Sequence, residues 1–127
     1  MNQKFRKAAV ILAVYLMMPA GIARAGDFSA LLGNWQRVDG SYTLAVGKIL
    51  EDGRMEVGYF NPRPINVSLA EARMEEGRIR MKVELRDKGY PGSTYILYYD
   101  PGRDALLGYY YQAVAGQTFE VAFVRKK

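Results

Sequence analysis

Reading the chain as alternating strands gathers Arg37, Asn61, Asp87 and Gln112 near one end, above Tyr59, Tyr95 and Tyr110. Arg63, between Pro62 and Pro64, and Tyr90, before Pro91, fall on loops at that same end. Side chains of these types bind: a guanidinium, two amides, a carboxylate and phenols offer hydrogen bonds and charge above an apolar wall. They do not assemble a familiar catalyst. The sequence has no histidine and no cysteine, which removes Ser-His and Cys-His nucleophiles and most zinc sites. Glu84 and Asp87 are the nearest thing to a carboxylate pair. They fall on opposite faces of one strand, whereas a glycosidase needs its two carboxyls about 5–10 Å apart across a cleft. Neither an enzyme nor a cofactor or metal site is expected.

Such a cluster needs strands to position it, and the sequence supplies them. Glycine turn signals recur at Asp39-Gly40, Asp52-Gly53, Glu76-Gly77, Gly89 to Gly92, Pro101-Gly102 and Ala115-Gly116. Between them run segments of period two rich in Tyr, Val, Ile and Leu, the pattern of an all-β barrel or sandwich. Eight strands are expected, at 34–38, 42–50, 55–61, 65–74, 78–87, 93–99, 105–113 and 117–126, after a short helical turn at 27–32. The clearest has Ile79, Met81, Val83 and Leu85 on one face and Arg80, Lys82, Glu84 and Arg86 on the other. The corresponding inward sets are Tyr42/Leu44/Val46, Met55/Val57/Tyr59, Tyr95/Leu97/Tyr99, Leu106/Gly108/Tyr110 and Phe119/Val121/Phe123. Ala70 and Ala72 interrupt the large inward side chains of the fourth strand and suggest a bulge. Apolar inside and charged outside is the polarity of a barrel in water, the reverse of an outer-membrane barrel. Short connections favour an antiparallel up-and-down meander closed on itself. Eight strands enclose an interior that side chains just fill or that holds one small ligand.

The first residues read differently. Lys4, Arg6 and Lys7 precede the apolar run Ala8 to Met18, then Pro19, Gly21 and the small-residue triplet Ala23-Arg24-Ala25. That is the pattern of a cleaved signal peptide over 1–25; a membrane anchor needs about 20 apolar residues. Residues 26–127 are then one exported domain, in the periplasm or outside the cell. Removing Lys4, Arg6, Lys7 and Arg24 leaves 14 Lys/Arg against 13 Asp/Glu, so the basic balance belongs to the export segment and no nucleic-acid partner is expected.

"LLGNWQRVDGSYTL" and "FEVAFVRKK" frame the domain, with Gly33-x-Trp35 on the first strand and Arg125 on the last. This pairing resembles the calycins, the lipocalin, fatty-acid-binding and avidin group of barrels. The resemblance implies that Trp35 closes one barrel end as a structural floor with Arg125 packed over it. "DGRMEVGYFN" is similar to the third strand of avidin-type barrels, which implies ligand contacts at Tyr59 and Asn61, and Ser41 matches a further polar ligand position. Trp35 is the only tryptophan, so the indole box that grips biotin is missing. Arg125 follows Phe119, Val121 and Phe123 in strict alternation, and a cation pointing inward is tolerated when it stacks on an indole face.

With Trp35 and Arg125 at the floor, a meander puts the tight glycine turns at 52–53, 76–77 and 101–102 there too. The opposite mouth collects 39–40, 61–64, 87–92 and 113–117. Pro62 and Pro64 fix φ and remove two backbone donors, so Arg63 sits on a stiff bracket. The leading expectation is a non-catalytic barrel binding a small ligand in its mouth through Arg37, Ser41, Tyr59, Asn61, Arg63, Asp87, Tyr90, Tyr95, Tyr110 and Gln112. The alternatives are a module that binds or inhibits an exported protein through the mouth loops, and a purely structural barrel with a filled core. Tyr98, Tyr109 and Tyr111, on the outward phase, offer a patch for self-association or ordinary cross-strand pairs.

Overall fold

A computed structural model describes residues 28–127; the proposed signal segment lies outside the described residues. Nine antiparallel strands form one sheet that curls into a nearly closed barrel: β1 (Gly33–Arg37), β2 (Thr43–Ile49), β3 (Met55–Phe60), β4 (Pro64–Ile65), β5 (Val67–Glu75), β6 (Arg78–Leu85), β7 (Thr94–Asp100), β8 (Ala105–Gln112) and β9 (Gln117–Arg125). Each strand pairs with its sequence neighbour except at β4/β5, and β1 also pairs with β9. Among the described residues a 3-10 turn, Ser29–Leu31, precedes β1.

The eight-strand expectation is corrected to nine, because the segment expected as one strand at 65–74 is two. The break is Asn66. Its backbone N–H and side-chain amide donate to the two carboxylate oxygens of Asp87 at 2.8 and 2.9 Å, and its carbonyl accepts from Arg86 N–H. Those bonds turn Asn66 out of the ladder, with β4 paired to β3 on one side of it and β5 paired to β6 on the other. A one-residue register shift between Val67 and Leu69 adds a bulge, which lies nearer the start of the strand than Ala70 and Ala72.

Those two alanines are small for another reason: the barrel seam closes against them. Ala72 N–H donates to the Gly53 carbonyl at 2.8 Å, and Arg54 bridges Glu71. Gly53 has φ +96°, and a Cβ there would stand 2.2 Å from the Ala72 carbonyl oxygen, so only glycine lets the β2–β3 turn approach β5. At Glu76-Gly77 both residues have positive φ, 51° and 81°, the two-residue turn whose twist matches paired strands.

Inward alternation makes the core. Leu44, Val46, Met55, Tyr59, Met81, Val83, Leu85, Tyr95, Leu97, Leu106, Tyr110, Val121 and Phe123 are all buried, joined by Phe28 and Leu31 from before β1. Phe119 departs from its expected inward set: it is 44% exposed, because β9 at that point extends beyond the end of β1.

Candidate functional site

β1 carries two inward residues two positions apart, Trp35 and Arg37, and each organises one end of the barrel. At the floor, Trp35 is fully buried and its indole N–H donates to the Leu31 carbonyl at 2.9 Å. Register pairs Trp35 with Arg125 across the β1–β9 ladder, so the guanidinium lies 4.2 Å over the indole. It donates to the carbonyls of Leu32 (2.7 Å) and Ala30 (2.8 Å) and to both oxygens of Asp104 (2.8 and 2.9 Å). Tyr99 OH donates to the same carboxylate. The hydrogen bonds from Arg125 and Tyr99 hold Asp104 below the usual carboxylate range. Gly33 leaves room for this: a Cβ there would come within 2.9 Å of the guanidinium.

At the mouth, Arg37 lies 4.0 Å over the Tyr42 ring and donates to both oxygens of Asp39, at 2.6 and 3.0 Å. A third N–H donates to Tyr95 OH at 2.9 Å, and Tyr95 OH shares a 2.8 Å hydrogen bond with Tyr59 OH. Burial opposes charge on Arg37, but the bonds to Asp39 and Tyr95 more than offset it and its pKa is raised. Burial pushes Tyr95 up to about 12 against the pull of Tyr59 and Arg37, and burial pushes Tyr59 higher still.

Beneath Arg37 the rings are in contact. Tyr42 and Tyr59 stack with centroids 6.3 Å apart, Tyr59 and Tyr95 are 5.5 Å apart, and Tyr95 stacks on Tyr110 at 4.4 Å and meets Phe123 edge-on at 5.3 Å. These spacings are those of packed aromatic pairs. The space between Tyr42 and Phe123 is occupied by the protein's own side chains.

Of the ten mouth residues named from the sequence, Arg37, Tyr59, Tyr95 and Tyr110 form this one cluster. Asn61 and Tyr90 meet separately, the Asn61 amide donating to Tyr90 OH at 2.9 Å, which fastens the 61–63 loop to the 86–93 loop. Asp87 stands apart, committed to Asn66, whose backbone and side-chain N–H groups lower its pKa. Gln112 is half-buried opposite Gln117 at the base of the β8–β9 turn. Ser41 is exposed on the outer wall, in a depression shared with Gln36, Thr43, Phe60 and Pro62. Arg63 is exposed and makes no side-chain hydrogen bond or ion pair among the described residues. Tyr98 lines one surface depression with Tyr109, but its hydroxyl donates to Glu75 and Arg78 covers its ring at 4.1 Å.

Sequence reasoning missed Asp39, Asn66 and Ser93. Asp39 shares the phase of Arg37 two residues on, a signal hidden by the reading of Asp39-Gly40 as a turn alone. Ser93 is fully buried, and its hydroxyl accepts from Ala113 N–H, linking two mouth loops. A small polar residue at a strand start gives no sign of that. Among the described residues, no group of three or more His, Cys, Asp or Glu is placed to hold a metal. Compared with known proteins, the chain matches no protein family, no curated protein and no solved structure.

Proposed function

We propose that this is an exported, non-catalytic binding barrel of calycin-like build that engages a partner protein through its mouth rim, as an inhibitor module does. One observation carries the choice of a protein over an enclosed ligand: the aromatic rings below Arg37 touch one another, and Arg37 is held across them by Asp39 and Tyr95. A barrel that swallows a ligand keeps an apolar cavity. Here the irregular loops stand above a packed layer instead. Arg63, on its proline bracket, is presented to solvent, as are Val38, Val114 and Phe119. Exposed apolar residues and an arginine without an ion-pair partner among the described residues suit a protein interface, where arginine and aromatic residues carry much of the energy. The export pattern read at 1–25 supports a partner outside the cytoplasm.

A photo-crosslinking residue placed in living cells at Arg63, Val114 or Phe119, and at Glu76 or Gly102 for comparison, tests this. Crosslinks to another protein are expected from the mouth positions and not from the floor pair. Equal crosslinking from both ends, or none from the mouth, overturns the reading.

A second reading keeps the small ligand. Tyr59 and Tyr95 share one hydrogen bond while Tyr95 accepts another from Arg37, so one hydroxyl proton finds no acceptor among the described residues. A small anion that parted Arg37 from Asp39 would supply one. A rise in melting temperature with a simple carboxylate, absent in Arg37→Met, would favour it over the rim.

A further inference from the structure

Apart from the seam where β4 and β5 do not pair, most neighbouring strands end level at the mouth. The last register pairs there are Gln36↔Thr43 for β1–β2, Thr43↔Phe60 for β2–β3, Glu84↔Thr94 for β6–β7 and Thr94↔Tyr111 for β7–β8. The β1–β9 ladder instead stops at Arg37↔Phe123, followed by one bond from Val38 N–H to the Ala122 carbonyl at 3.0 Å. The chain then turns away into the β1–β2 hairpin, while β9 continues back to Gln117, paired only with β8.

Residues 117–121 are therefore a free strand edge. In an antiparallel strand, backbone groups alternate between the two sides. The Ala122 carbonyl faces β1, so the N–H and C=O of Glu120 and Thr118 face the open side. The devices that usually blunt an edge are lysine, proline and bulges. Lysine, proline and bulges are absent from "QTFEV", where Glu120 is the one charge, and its ladder to β8 is unbroken from Ala105↔Val124 to Gln112↔Gln117. Beside the edge lies a depression lined by Val38, Asp39, Glu120, Val121 and Ala122. Val38 is 62% exposed and Phe119 44%. Asp39 is neutralised by Arg37, whereas Glu120 has no ion-pair partner among the described residues.

We infer that this edge takes an extended segment of the partner protein as an added strand, with apolar residues on the Phe119 side alternating with Lys or Arg on the Glu120 side. The inference rests on the rim-docking reading and names its mode. Main-chain bonds to Thr118 and Glu120 supply the affinity in such strand addition, and alternate side chains supply selectivity. Glu120, with no ion-pair partner among the described residues, sets the sign of the charge. A second copy of this chain fits less well. Pairing edge to edge would bring two Glu120 carboxylates into one seam, and like charges facing each other across paired strands destabilise them.

The test uses the folded protein, residues 26–127, with two peptide probes of alternating Val-Lys and alternating Val-Glu sequence, followed by amide NMR and hydrogen exchange. The Val-Lys peptide is expected to bind with a dissociation constant below about 1 mM. It should slow exchange at Thr118 and Glu120 by roughly tenfold or more. The Val-Glu peptide should bind at least about tenfold more weakly, and Glu120→Lys should reverse that order. Thr118→Pro deletes an edge-facing N–H at a site where proline is tolerated and should abolish binding. Should that variant fail to fold, a Val-Lys peptide N-methylated at its pairing amides must lose binding to the unmodified protein. No binding of the Val-Lys peptide, equal binding of both peptides, or protection that grows with protein concentration alone overturns the inference. The failure is separable from that of rim docking: crosslinks from position 63 that survive Thr118→Pro would leave the rim as the site and remove only the edge.

Discussion

The two ends of the barrel use the same device to different effect. Each has an arginine laid over an aromatic ring, Arg125 at 4.2 Å from Trp35 and Arg37 at 4.0 Å from Tyr42. At the floor the guanidinium binds carbonyls that precede β1 and a carboxylate on the β7–β8 turn, so it ties three separate segments together. At the mouth its strongest partner is Asp39, two residues away in the same hairpin and 56% exposed. The one distant side-chain hydrogen bond of Arg37 among the described residues is to Tyr95 on β7. Cross-links between distant segments stabilise a fold, while a local pair over packed rings closes a surface and leaves its loops available. The difference teaches which end is tied across distant segments and which is tied within one hairpin.

Breaking the floor should cost most. Trp35→Ala is expected to lose about 3–5 kcal/mol in urea denaturation, because a fully buried indole, its hydrogen bond and the surface under Arg125 go together. A loss below about 1 kcal/mol would mean the floor is not a core element. Gly53→Ala should cost about 2–3 kcal/mol by the same measurement, since its Cβ would meet a backbone oxygen that cannot swing aside. The comparison itself is sharpened by the two arginines. Arg125→Met should destabilise by about 2 kcal/mol, leaving two carbonyls and a carboxylate without their donor, and Arg37→Met by about 1 kcal/mol or less. The reverse order would contradict the division of labour. A smaller effect is set by pH. Asp104 has a lowered pKa in the folded protein, so its contribution is present above the ordinary carboxylate value and lost as pH falls through the lowered one. Acid unfolding curves should show that loss in the parent protein and a shallower dependence in Asp104→Asn.

The sequence made the strand skeleton legible because burial follows a strict period of two: Ile79 to Leu85 could hardly be read otherwise. Gly33, Trp35 and Arg125 were legible as a set because their phase put a cation and an indole on the same side of paired strands. The mouth was harder. Tyr59, Tyr95 and Tyr110 announced an aromatic wall, but whether rings line a cavity or fill it depends on distances of a few ångströms that no spacing encodes. Asp87 looked like a rim carboxylate until Asn66 claimed it, and a side-chain-to-backbone bond of that kind has no periodic signature. Phe119 obeyed the inward phase yet ended exposed, because phase says which side a residue faces and not how far the neighbouring strand extends.

The claim on which the rim reading depends is that the barrel is closed at its mouth. Tyrosine ionisation followed by NMR through alkaline pH tests it in the intact domain. Tyr95 should remain protonated up to about 12 and Tyr59 beyond that, with stability full below the ordinary tyrosine value of 10.0 and lost as pH climbs from there through the folded value. Ionisation of both residues near 10.0 in the folded protein would mean that water reaches them, that the interior is open, and that a ligand rather than a partner surface belongs there.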